Sequence, residues 1–123
     1  MGWTKNYKPG ETLKYYWDVH NNQANVMDPD KGEFKVPYPG LYILSFYGAI
    51  SPDSPAKINP YASMIEGGDE VAYTFVTFDD YYQTGSMLVL RRLPQWLSVY
   101  VRNGKHSTVR WEGFGFSVVF ITG

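Results

Sequence analysis

The chain carries few side chains able to do covalent chemistry. It has no cysteine and only two histidines, which excludes disulfides, thiol nucleophiles and thiolate metal sites. His20 stands just before Asn21-Asn22 in an expected loop, and His106 follows Asn103-Gly104. Neither has a second ligand at metal spacing, so both read as solvated loop histidines. A Ser/His/Asp triad converges in space and needs no fixed order in sequence, but no Gly-x-Ser-x-Gly elbow is present to point to one. Paired carboxylates could cleave a glycosidic bond. Asp79 and Asp80 are adjacent, however, and neighbours on a strand face opposite ways, so the two cannot flank one bond. Glu33, Glu66, Glu70 and Glu112 stand beside turns and read as solvated.

Binding is better provided for than catalysis. Tyr81, Tyr82 and Trp96 fall near expected strand ends, where an aromatic ring could stack on the flat apolar face of a sugar. Arg91, Arg92 and Arg110 could meet an acidic ligand such as a sialylated glycan. The plainer reading is that the rings pack a core or an interface and that the arginines balance acidic neighbours at a rim. Lys+Arg 11 against Asp+Glu 12 leaves no positive excess for a phosphate backbone or an anionic membrane, so nucleic acid is excluded as a partner. No run approaches the ~20 apolar residues of a spanning helix, which excludes membrane insertion by a helix. Met1 to Lys5 open no apolar leader, so the expectation is a cytosolic protein or a mature or excised domain.

The elements that must position these residues are strands. A chain of 123 residues with 18% aromatics, Gly 12 and Pro 8 suits pleated segments joined by tight turns and suits helices poorly. Turn residues cluster at 9–10, 27–32, 37–40, 51–60, 66–69 and 103–104. Between them, strands are expected over 13–19, 40–49, 60–65, 70–78, 86–92, 96–102 and 114–121, with shorter ones over 3–7 and 33–36. Without a repeat or a charge run, residues 1–123 read as one all-β domain, a sandwich or a barrel. Leu41 to Tyr47 and Phe114 to Ile121 are apolar on both alternating faces. Tyr42, Leu44 and Phe46 would fill the core, leaving Leu41, Ile43 and Tyr47 to meet either a neighbouring subunit or the 51–60 loop folded back. The pattern alone leaves both covers open.

The order of residues in Phe34-Lys-Val-Pro-Tyr-Pro-Gly40-Leu-Tyr42-Ile-Leu44-Ser-Phe46 resembles the signature of the C1q-like family. There a phenylalanine stands six residues before a glycine that opens an alternating aromatic strand. Tyr16, Asn22 and Met27 stand at the upstream signature positions. Thr84-Gly85-Ser86-Met87-Leu88-Val89-Leu90 and Phe114 to Phe120 resemble two later strands of the family. Leu93-Pro94-Gln95 replaces a Gly-Asp pair usual between them. The resemblance spans nearly the whole chain, and it implies a ten-stranded antiparallel jelly-roll β-sandwich of the kind shared with the tumour-necrosis-factor cytokines. It further implies a homotrimer and a secreted, noncatalytic binding protein, lectin-like or immune, that presents loops to a glycan or protein ligand. Asp79 resembles the aspartate by which some members bind calcium, a hard ion that seeks several oxygen ligands. The second acidic residue of those members is missing before Thr84-Gly85, and calcium is the only candidate cofactor. Two other classes remain as alternatives: a structural trimeric shell or matrix protein, and a jelly-roll enzyme acting on glycans.

Overall fold

The computed structural model describes residues 2–15, 27–28, 30–55, 60–75, 77–78 and 83–123. These form an all-β sandwich of two antiparallel sheets. The strands are β1 (Lys5–Tyr7), β2 (Met27–Asp28), β3 (Glu33–Lys35), β4 (Gly40–Ile50), β5 (Tyr61–Glu66), β6 (Asp69–Phe75), β7 (Thr77–Phe78), β8 (Gln83–Leu93), β9 (Ser98–Asn103) and β10 (Val109–Thr122). One sheet runs β1-β10-β4-β8-β7 and the other β2-β3-β9-β5-β6. The edge segments β2 and β7 have two residues each, so each sheet has four longer strands. Ten strands are reached only by counting these two stubs. Apart from the consecutive pairs β2–β3, β5–β6 and β7–β8, neighbours within a sheet are distant in sequence, and the connections cross between sheets in the manner of a jelly roll,.

Alternation places every second residue of β4 inside, and Tyr42, Leu44 and Phe46 are fully buried. Phe34, Val36, Met64, Val99, Val101, Trp111 and Phe114 complete the core from both sheets. Phe34 meets Tyr42 edge-on, and Phe46 does the same to Trp111, geometries the ring quadrupoles favour. Tyr7 is also fully buried, with its hydroxyl donating to the Trp3 carbonyl and accepting the Lys14 N–H. Burial pushes its phenol up to about 12, because the ionised form would lose its hydration.

Several strand limits differ from those expected, each for a local reason. β10 begins at Val109 rather than Phe114, because Gly113 (φ 59) forms a bulge that carries the strand past Glu112,. Over the expected strand 13–19, the described residues make only one isolated bridge, Tyr15 with Gly2, and a second, Thr12 with Arg102, lies just before it. β9 starts at Ser98, leaving Trp96 in the preceding turn at φ 69. Gly40 has no positive φ. It is required because a Cβ would fall 2.6 Å from both the Phe120 ring and the Thr122 carbonyl. Asn103 is not a turn residue but the buried end of β9. Gly67 (φ 58) and Gly68 (φ 95) do form the expected turn, between β5 and β6, since two left-handed residues suit the twist of a hairpin.

Candidate functional site

The register of β4 with its neighbours builds an outward face row by row. Ile43 lies between Val119 and Leu90, Ser45 between Ser117 and Leu88, and Tyr47 between Gly115 and Ser86. The Ser45 and Ser117 hydroxyls hydrogen-bond each other at the centre. The Tyr47 ring lies across Gly115, where a Cβ would come within 2.6 Å of it. Leu88 is 73% and Tyr47 60% exposed, and Leu90 and Val119 are more than half exposed. Residues 51–55 do not fold back over these side chains. The Ser51 N–H donates to the Arg110 carbonyl at 2.9 Å and the Arg110 N–H to Ser54 Oγ at 3.0 Å, which ties the described part of the loop to the start of β10. Among the described residues, nothing covers this apolar face.

The residues singled out for ligand contact separate into different places. Asp79, Tyr81 and Tyr82 lie outside the described residues, as do His20, Tyr16 and Asn22. Arg91 is already engaged: its guanidinium donates to both Glu66 oxygens, with Nε 2.9 Å from Oε2. The pair ties β8 of one sheet to β5 of the other. Glu66 is therefore buried and paired rather than solvated, and hydrogen bonding to it raises the Arg91 pKa. Glu70 is exposed and accepts the Ser63 hydroxyl. Arg110 sits at the Ile50 end of β4, and Arg92 at the Leu41 end. Nine strand residues at ~3.3 Å each put roughly 30 Å between those two arginines, so they do not share a small ligand.

Arg92 and Trp96 stay at one end of the sandwich. The Trp96 N–H donates to the Val36 carbonyl at 2.7 Å and Gln95 Nε2 to that of Pro37 at 3.0 Å, holding the turn while the indole remains 63% exposed. Tyr38 and Phe120, also exposed, meet edge-on nearby, with Phe120 leaning on Tyr42 as well. Phe120 is therefore a rim residue, unlike the buried Phe114. A groove of about 400 Å³ is lined by Pro39, Gly40, Arg92, Leu93 and Pro94. Gly85 lies at the opposite end, paired with Gly48, where Thr74 approaches it to 3.1 Å from an added Cβ. Among the described residues no group of three or more His, Asp or Glu is arranged to hold a metal ion. Asp79 lies outside those residues.

The Glu66–Arg91 pair has a measurable consequence. Arg91→Ala leaves a buried carboxylate without its partner. Full burial of both partners would cost more, but the Arg91 side chain is 46% exposed, which reduces the expected loss to about 2 kcal/mol. Urea unfolding reads it directly. A loss below about 0.5 kcal/mol, the size of an ordinary surface change, would show that the pair does not join the sheets.

Solved structures share this arrangement of strands. The globular domain of zebrafish complement 1qA protein superposes with a TM-score of 0.77 at 13% identity, covering 97% of this chain and 90% of that one. The chain has the fold of a complement C1q globular domain. Rabbit GITRL matches with a TM-score of 0.56 at 10% identity, over 76% of this chain and 74% of its own. Pika GITRL gives 0.55 at 9%, over 76% and 80%. No family model matches the sequence, and no curated protein matches it. Likeness at these identities is a likeness of fold.

Proposed function

We propose that the chain is a noncatalytic extracellular recognition domain that assembles as a homotrimer through the outer face of β10, β4 and β8. The observation that carries this reading is the row of Ile43, Leu88, Leu90, Tyr47 and Val119 side chains on a sheet with no helix or described loop above it. Water contact with so much adjoining apolar surface is unfavourable, and a second copy removes it. The C1q-like fold supports the same reading. The end bearing Trp96 and Tyr38 is left free to meet a glycan or protein ligand, with Arg92 where that end borders the outer face of β8. Among the described residues, no hydrogen bond or ion pair engages the Arg92 side chain. An exposed indole and, at the border of the same end, a guanidinium provide an apolar plate and a positive charge.

Hydroxyl-radical footprinting tests which surfaces are covered. Tyr47 and Leu88 are expected to be protected in the native protein, while Trp96 and Tyr38 react freely. Equal reactivity at all four would contradict the assembly. Protection of Trp96 without ligand would move the contact to the other end.

A further inference from the structure

The second sheet carries an exposed group of rings that the assembly leaves out. Ala62 and Met64 of β5 point into the core, so Tyr61 and Ser63 lie on the other side of the strand, paired with Phe75 and Tyr73 of β6, with Ser63 itself covered by its neighbours. Tyr73 is 59% and Phe75 54% exposed. The ring centroids of Tyr73 and Phe75 are 5.5 Å apart at 87°, those of Phe75 and Tyr61 5.5 Å, and those of Tyr61 and His106 5.5 Å. Two exposed rings at a right angle make a corner, with the face of one as a floor and the other as a wall.

Tyr61, on which the Phe75 ring leans, is held rigidly. The Tyr61 hydroxyl accepts the Lys105 N–H at 3.0 Å, and the Tyr61 carbonyl accepts the Gly104 N–H at 2.8 Å. Gly104 lies so close beneath the ring that an added Cβ would come within 2.4 Å of it. A ring fixed before binding loses little freedom when a ligand arrives. The surrounding groups are polar and of mixed sign: Ser63, Glu70, Arg102 and Lys105. Arg102 pairs across the strands with Ser63, and among the described residues its buried Nε has no hydrogen-bond partner. A second copy of the chain fits the aliphatic face described above better than this one, because aliphatic side chains are scarce here. Neither strong charge would be favoured by the mixed signs.

We propose that Tyr61, Tyr73, Phe75 and Arg102 form a seat for an uncharged saccharide, with the apolar face of one sugar ring on the aromatic corner and its hydroxyls toward the polar groups. This deepens the recognition reading and rests on it, by assigning a ligand class to a surface away from the Trp96 end. The labelled full chain is applied to an array of neutral oligosaccharides, and the best binder is titrated against variants. Phe75→Ala and Tyr73→Ala are expected to weaken binding at least about tenfold and Tyr73→Phe less than about twofold, since stacking needs the ring and not its hydroxyl. Light scattering should give every variant the wild-type mass. Absence of binding to any neutral sugar, or equal affinity in the alanine variants, overturns the proposal. A changed mass also overturns it, by making this face a contact between copies. Loss of binding only in Trp96→Ala overturns it too, while leaving the recognition reading in place.

Discussion

Leu88→Glu is expected to leave the chain folded and to convert it from trimer to monomer. In the single chain Leu88 is 73% exposed, so the substitution touches no core contact and should change unfolding stability by no more than about 0.5 kcal/mol. In the assembly, each copy would bring a carboxylate into an apolar contact beside Ser45 and Ser117. Burying such a charge without a partner costs several kcal/mol, which corresponds to a fall in association of more than about a thousandfold. Gel filtration with light scattering reads the mass, and a thermal melt reads the fold. A folded variant that still assembles with wild-type affinity would put the contact elsewhere.

The largest expected loss of stability comes from Asn103→Ala. Asn103 is fully buried, and its Nδ2 lies within 3.0 Å of the carbonyls of Tyr7, Lys8 and Ser107. Its Oδ1 accepts the indole N–H of Trp111 at 2.9 Å. One side chain thus joins the end of β9 to the end of β1, the 104–108 turn and the core tryptophan of β10. Truncation leaves a buried indole donor and several carbonyls without a partner. At about 1–3 kcal/mol for each unsatisfied buried group, with some recovered by water, the net loss is roughly 4 kcal/mol. For a chain of this size that is a fall in melting temperature of roughly 10–20 °C. Asn103→Asp should fare little better, because a carboxylate in that position would face carbonyl oxygens and could donate nothing to them. A loss under about 1 kcal/mol in the alanine variant would remove Asn103 from the account of the fold.

What the sequence made legible was what repeats with a period or sits next to its cause. Alternation in 40–47 foretold which β4 side chains enter the core, and the family resemblance carried by Phe34 to Phe46 pointed to the fold even though identity to the zebrafish domain is only 13%. Glu66-Gly67-Gly68-Asp69 declared its turn because the residues that need positive φ form the turn themselves. Other features depended on register between distant strands and left no local mark. Glu66 and Arg91 meet only because β5 and β8 face each other at one edge of the sandwich, so a carboxylate beside a turn read as solvated. Gly40 read as a turn glycine, whereas its reason is Phe120 lying against it from β10. The aromatic character of Trp96 suits a strand, and only the backbone shows it held in a left-handed turn,.

The candidate ligand residues scattered for a similar reason. Arg92 and Arg110 belong to opposite ends of the first sheet, which their places in the chain do not reveal. Tyr73-Thr74-Phe75 did carry a usable signal, since aromatics two apart on an expected strand share one face. What was missing was the pairing with Tyr61 and the position of Gly104 that turn that face into a corner.

The claim on which the account turns is that the outer face of β10, β4 and β8 is a contact between copies. Static light scattering on the wild-type chain at micromolar concentration measures it most directly. The account predicts a mass three times the 14.1 kDa of one chain, unchanged by moderate dilution. A stable mass of one chain, with Leu88 and Tyr47 open to water, would contradict it.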